Sequence, residues 1–233
     1  MQLIIGNKNY SSWSMRPWVL MKALGIAFEE RKVRFDFTPD SAFYREIGAV
    51  TPAGKVPVLV DDGLAVWDSL AIVEYLADRF PDKAVWPRDA RERARARCLC
   101  AEMHSGFGQL RSHCMMNIDA DLAPVGARLL QTEAGLRKDL ARIVELWTDA
   151  LTQSGGPFLF GEFGAADAFF APVVMRVTRY GLPLPAPLKA YTDAVQAAPG
   201  VRDWIADAMA EKDFLAFEEP YRDISGPVPV LKP

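Results

Sequence analysis

Apolar and polar positions follow two regimes along the chain, and the change between them falls near residue 80. Before it, short apolar runs alternate with helical periodicity. "QLIIG" has the unbroken apolar character of a buried strand, and Ser14 to Leu24 carries a helical pattern closed by Gly25 in the C-terminal cap position. "AFEERKVRF" has strand-like ends around a polar middle, and "DSAFYREIG" predicts a short helix stopped by glycine. "VPVLVDDGLAVW" places two β-branched runs around Asp62-Gly63, the composition of a tight hairpin. "DSLAIVEYLADRF" then predicts a capped helix with Leu70, Ile72, Val73, Leu76 and Phe80 on its apolar face. The predicted order is βαβαββα, a small α/β unit over residues 1–80.

"PDKAVWPRDA" carries two prolines, and a linker is expected over 81–87. From residue 88 to 215 only helical patterns follow, which predicts an all-helical domain. "DARERARARCLCAEMHSGF" predicts one long helix and Ala127 to Leu151 another, with Leu129, Leu130, Leu136, Leu140, Ile143, Val144 and Trp147 as its core stripe. "GAADAFFAPVVMRVTRYG", "APLKAYTDAVQAAPG" and "VRDWIADAMAEK" add three more, and an irregular tail is expected over 216–233.

Composition narrows the classes of function. A net charge of −3 supplies no basic field for nucleic acid. The start lacks the basic and apolar regions of a secretory signal, and no apolar run reaches the roughly 18–20 residues of a membrane span. Cys98, Cys100 and Cys114 are odd in number and clustered, which favours reduced thiols and a cytoplasmic location. With His104 and His113 as the only histidines, no metal site of ordinary zinc spacing is expected.

Three stretches carry candidate chemistry. "NYSSWSMRPW" sets Ser11, Ser12 and Ser14 at a helix start, where a serine is either a cap or a donor to a thiolate held at the positive end of the helix dipole. No histidine lies nearby to make a nucleophile of them. "GKVPVL" puts Pro57 at the opening of a strand. Either the bond is trans at a strand edge, or Val56-Pro57 is cis and Val56 offers its N–H and C=O to a peptide-like ligand. Asp68 and Ser69 are either a plain N-cap or a pair that holds an ammonium and a carboxylate.

In this order and spacing, "GKVPVL" and "DSLAIVEYL" resemble the cytosolic glutathione transferase superfamily over nearly the whole chain. "FLFGEFGAADAFFAPVV" is similar to that family's helical-domain motif, with Asp167 capping a buried helix and Gly164 standing where Ser or Thr is usual. The resemblance implies a thioredoxin-like domain followed by a helical bundle, a homodimer, and glutathione as co-substrate with no metal. It implies that Val56, with Val56-Pro57 cis, pairs with the cysteinyl part, that Asp68 and Ser69 hold the γ-glutamyl end, and that Lys55 approaches the glycyl carboxylate. "SSWSMR" resembles the zeta-type "SSCxWR" pattern, which assigns the thiol to Ser11, with Ser12 the alternative; Trp13 replaces the pattern's cysteine. The absence of cysteine from the cluster argues against thiol exchange.

The implied activity is conjugation of glutathione to small electrophiles. The alternatives are isomerisation of a maleyl-type diacid and glutathione binding without turnover. The electrophile pocket is expected between the domains. On one continuous helix His104, Phe107 and Arg111 share a face, with Phe107 packing on an apolar substrate and Arg111 taking a carboxylate, or the same face lines an interface. Arg176 and Arg179 follow the "FFAPVV" helix. Arg179 sits about where zeta-type members place a substrate-carboxylate arginine, which implies a small anionic substrate; a surface arginine is the other reading.

Overall fold

The computed structural model describes residues 1–221. An N-terminal α/β unit holds β1 (Gln2–Ile5), α1 (Ser12–Ala23), β2 (Glu29–Lys32), α2 (Ala42–Gly48), β3 (Val58–Asp61), β4 (Leu64–Trp67) and α3 (Ser69–Arg79). The helical unit holds α4 (Ala90–Ser105), α5 (Gly108–His113), α6 (Ala123–Thr132), α7 (Ala134–Ser154), α8 (Ala165–Arg179), α9 (Ala186–Ala197) and α10 (Pro199–Glu211). A short 3₁₀ turn spans Ala216–Glu218.

The sheet runs β2-β1-β3-β4, with β1 parallel to β2 and antiparallel to β3, and β3 antiparallel to β4. Asp62 at φ 47° and Gly63 at φ 81° close the β3–β4 hairpin, as a two-residue turn of this hand requires. The polar middle of "AFEERKVRF" is the strand itself: β2 lies at the sheet edge, where its side chains reach solvent. Along β1 the side chains alternate between two cores. Leu3 and Ile5 join the large core shared with the helices, while Ile4 packs with Val33, Phe43, Ile47 and Val58 on the other face.

Helix α1 is covered almost all round, by α3, α8 and α10 as well as the sheet side, and nine of its residues are buried, Arg16 and Ser14 among them. At the start of α10, Gly200 makes this approach possible, because a Cβ there would stand 2.5 Å from the Val19 carbonyl oxygen.

Two helices differ from their sequence patterns. The 127–151 pattern is two helices, broken at Glu133, whose φ of −101° and ψ of 95° are extended. Asp139, in the second of them, accepts from Gln109 and Leu110 N–H groups at 2.9 Å and so caps α5. The long helix expected through Phe107 stops at Ser105, because Gly106 is extended; a Cβ there would lie 2.6 Å from the Glu102 carbonyl oxygen. The expected linker is packed rather than free: Val85 and Trp86 are buried, and Ala165 N–H donates to the Val85 carbonyl at 3.0 Å.

The expected irregular tail is ordered in part. Ala216–Glu218 form a 3₁₀ turn, and Tyr10 Oη donates to Glu219 Oε1 at 2.6 Å. The rest of that expectation, residues 222–233, lies outside the described residues. No helix among the described residues is long and apolar enough to cross a membrane. No cluster of three or more His, Cys, Asp and Glu side chains there is arranged to hold a metal ion.

Candidate active site

A cleft of about 1140 Å³ lies between the α/β unit and the helices. It gathers Ser11, Ser12, Lys55, Val56, Pro57, Asp68 and Ser69 on the side of the sheet and Arg111 and Arg176 on the helical side. The loop that carries the serines is pinned from both domains. Lys8, nearly buried, reaches Glu30 at 2.7 Å and Asp207 at 2.5 Å and lies over the Trp18 ring. Asn9 donates to Asn117 Oδ1 at 2.9 Å and accepts from Ile118 and Asp119 N–H groups at 2.7 and 2.9 Å. Buried polar groups need such partners, and here those of Asn9, with Asp207 for Lys8, come from the helical unit.

Ser11 stands at the N-cap of α1 but makes no capping bond with its side chain. Its Oγ lies 2.7 Å from Ser14 Oγ, which is fully buried and accepts the Gly6 N–H at 3.2 Å. Hydroxyl protons rotate to suit their neighbours. In this pair the Ser11 hydroxyl donates and Ser14 Oγ accepts; a rotation of both hydroxyls, with Ser14 donating to Ser11 instead, turns the Ser11 proton to the cleft. Ser12, the first residue of α1, has no hydrogen bond through its hydroxyl among the described residues.

The Val56-Pro57 bond is cis, and the backbone N–H and C=O of Val56 have no hydrogen-bond partner among the described residues. Lys55 is exposed at the same rim. Asp68 has φ of 73° and N-caps α3: Oδ1 accepts the Leu70 N–H at 2.8 Å, and Oδ2 faces His104 Nε2 at 3.4 Å. Ser69 beside it is fully buried and accepts from Arg16 Nη1 at 3.2 Å.

Arg16 is unusual. It is 1% exposed, its guanidinium stacks on Trp13 at 4.1 Å and Phe169 at 4.9 Å, and no carboxylate forms an ion pair with it among the described residues. Burial, and then the charges of Arg176 and Arg111, push it down to about 9, so it still carries its charge at neutral pH. A positive charge thus stands one hydroxyl behind the cleft, on Ser69. Arg176 is buried too, with Nε on the Cys114 carbonyl at 2.8 Å and Nη1 on the Pro172 carbonyl at 3.2 Å. Burial pushes it down to about 10. Arg111 donates to the His104 carbonyl at 3.1 Å.

Three residues expected in the electrophile pocket do not line it. Phe107, at φ 53° between α4 and α5, is buried in the large core. The helix break at Gly106 removes the shared face that would have carried it with His104 and Arg111. His104 stacks edge-on against Trp13 at 5.0 Å, behind the cleft wall, and burial lowers its pKa, so it is neutral at pH 7. Arg179, the last residue of α8, feels the charges of Asp119 and Asp121 and is absent from the cleft lining. Arg176, one turn earlier, lines the cleft. Sequence reasoning named Ser14 only as one of three serines at a helix start and missed Tyr10, Arg16 and Glu218, which line or support the same cleft; Tyr10 and Arg16 lie in the stretch it singled out, Glu218 does not.

A four-stranded mixed sheet with helices, a helical second domain and a cleft between them define the class: this is the glutathione transferase fold. Residues 10–79 match the family model "Glutathione S-transferase, N-terminal domain", and residues 89–207 match "Glutathione S-transferase, C-terminal domain". The chain belongs to the glutathione S-transferase family. It is 27% identical over 184 residues to "Glutathione S-transferase 1" of Dianthus caryophyllus, covering 78% of this chain and 80% of that protein. It is 30% identical over 184 residues to "Probable maleylacetoacetate isomerase 1" of Drosophila melanogaster, covering 73% of this chain and 69% of that protein. Among solved structures, a Burkholderia glutathione transferase homologue with bound glutathione superposes with a TM-score of 0.67 at 24% identity, over 90% of this chain and 98% of that one. A bacterial zeta-class maleyl pyruvate isomerase superposes with a TM-score of 0.64 at 21% identity, over 88% of this chain and 96% of that one.

Proposed function

We propose that this chain is a glutathione-dependent transferase in which Ser11 activates the glutathione thiol for attack on a small electrophile. The observation that carries the reading is the convergence of Ser11, Lys55, Val56, Asp68 and Ser69 on one cleft. The free backbone groups of Val56 suit the cysteinyl part as an added strand would. Ser69, backed by Arg16, and the exposed α3 N-terminus suit the γ-glutamyl carboxylate; Asp68 suits its ammonium; Lys55 suits the glycyl carboxylate. Ser11 donates its proton to the sulfur at the start of α1, and this donation with the helix dipole stabilises the thiolate, the attacking form.

Arg111 and Arg176 favour an electrophile that bears a carboxylate. The same two guanidiniums support the second reading, isomerisation of a maleyl-type diacid, now through Arg176 and not Arg179. We also propose the domain limits 1–80 and 88–215, a homodimer and a cytoplasmic location, as is typical of the family. The test is calorimetric titration of glutathione, followed by turnover on a neutral aryl halide, a carboxylate-bearing aryl halide and a maleyl diacid. Conjugation that collapses in Ser11→Ala while glutathione still binds supports the transferase. Turnover of the diacid alone favours the isomerase, and binding with no turnover on any of the three overturns both in favour of a binding protein.

A further inference from the structure

The segment that follows α10, whose part from residue 216 sequence reasoning left as a tail, contributes Glu218 to the cleft wall. This segment is fixed to the α/β unit. Arg34 holds Asp213 through two bonds of 2.7 and 2.9 Å, Asn7 donates to Asp213 Oδ2 at 2.8 Å, Leu215 is buried in the second core, and Tyr10 holds Glu219. Glu218, between those anchors, is thereby held in the cleft wall with Arg111 from α5 and Arg176 from α8.

The charges there are incompletely matched. Arg176 spends its bonds on carbonyls of Cys114 and Pro172, and Arg111 on that of His104. No ion pair within 4.0 Å joins Glu218 to either guanidinium among the described residues. Tyr10 and the serines face the same space from the β1–α1 loop, Glu219 is the neighbour along the chain, and Lys55 and Asp68 stand on the sheet side. Two cations and one acid therefore share the electrophile half of the cavity without closing on one another.

We propose that Glu218 is a specificity-determining residue that gates carboxylate-bearing electrophiles at Arg111 and Arg176. When ionised it is the counter-charge of the two guanidiniums and repels a substrate carboxylate; when protonated it releases the pair to that carboxylate. The proposal rests on the transferase reading for the identity of the ligand as an electrophile. Burial pushes the Glu218 carboxyl up to about 7, with the Arg176 charge pulling the other way, so the gate works in the neutral range.

The test is equilibrium binding of 4-nitrobenzoate and of its uncharged methyl ester to the full chain, with and without saturating glutathione, at about pH 6 and about pH 8. A unit charge across a cleft of this kind changes carboxylate affinity by about tenfold. The dissociation constant of the carboxylate is expected to rise about tenfold from the lower to the higher pH in the wild type. It is expected to stay near its low-pH value in Glu218→Gln, while the ester is unaffected by either change. Carboxylate binding that is absent, or that is independent of pH, overturns the proposal, and so does a Glu218→Gln protein that keeps the wild-type pH profile. Should the variant fail to fold, the wild-type pH profile with Arg176→Gln, expected to abolish it, decides in its place. Failure of glutathione to bind sinks the transferase reading and leaves the nitrobenzoate titration to judge Glu218 on its own.

Discussion

Ser11→Ala removes one hydroxyl from a site that is 4% exposed, where water has little access to replace it. A hydrogen bond to a charged acceptor is worth about 1.5–3 kcal/mol, and about 1.4 kcal/mol corresponds to one pKa unit. The thiol of bound glutathione should therefore titrate about 1–2 units higher in Ser11→Ala. Below that pKa the thiolate fraction, and with it the conjugation rate at fixed pH, falls roughly ten- to hundredfold. Ser12→Ala deletes a hydroxyl that has no hydrogen bond among the described residues and should move the thiol by less than about half a unit. Ser14→Ala should fall between them, because Ser11 loses the partner that aims it. It should also cost about 1–3 kcal/mol of stability, since the buried Gly6 N–H loses its acceptor. The assay is the ultraviolet absorbance of the thiolate in the glutathione complex, titrated against pH at saturating glutathione. A thiol pKa that is unchanged in Ser11→Ala and raised in Ser12→Ala would refute the reasoning and transfer the role to Ser12.

Other predictions concern the supports of the site. Arg16→Met replaces a buried charge that has no carboxylate partner by an apolar side chain, so the thermal midpoint should hold or rise; glutathione affinity, measured by calorimetry, should weaken about tenfold as Ser69 loses its donor. A lowered midpoint with unchanged affinity would contradict this. Gly164→Ser should add about 0.5–1 kcal/mol in denaturant unfolding. The backbone there is extended at φ −142°, and a Cβ would sit 3.4 Å from the Val85 carbonyl oxygen. At present only the Asp167 half of the cap exists, with Gly164 N–H donating to Oδ2 at 3.1 Å. Asp167→Ala should cost about 2–4 kcal/mol, because it orphans that N–H, the Leu159 N–H and the Tyr191 hydroxyl together. Burial pushes the Asp167 carboxyl up to about 6, above its unfolded value. Its contribution to stability is therefore full below about pH 4 and lost as pH rises through 6. Unfolding free energies measured from about pH 4 to 7 should show this loss in the wild type and not in Asp167→Asn, a comparison in which the opposing trend of paired carboxylates such as Asp213 cancels.

What was legible in the sequence was local. The Asp62-Gly63 turn, the N-cap at Asp68 and the glycine after α1 depend on dihedral preferences and on bonds spanning two to four residues, so they could be read without a fold. That Ser11, Val56, Asp68 and Ser69 come to the cleft was legible for a related reason, since each sits at a helix start or strand opening whose own backbone presents it. The tertiary structure decided the rest. α8 is buried along nearly its whole length, so its sequence carries no polar face to say which way it turns. Arg176 and Arg179 stand about 60° apart around the axis, and only packing against α1 and α4 sends the first into the cleft and the second away. Arg16 and Ser14 lie in a helix covered almost all round, with nine of its twelve residues buried, so the helical period gives little sign of a solvent face. Glu218 reaches the cleft through bonds to residues some two hundred positions away, Tyr10 and Asn7 among them. Contacts at that separation leave no periodicity in the chain, because each is made once, between segments whose local patterns are already satisfied.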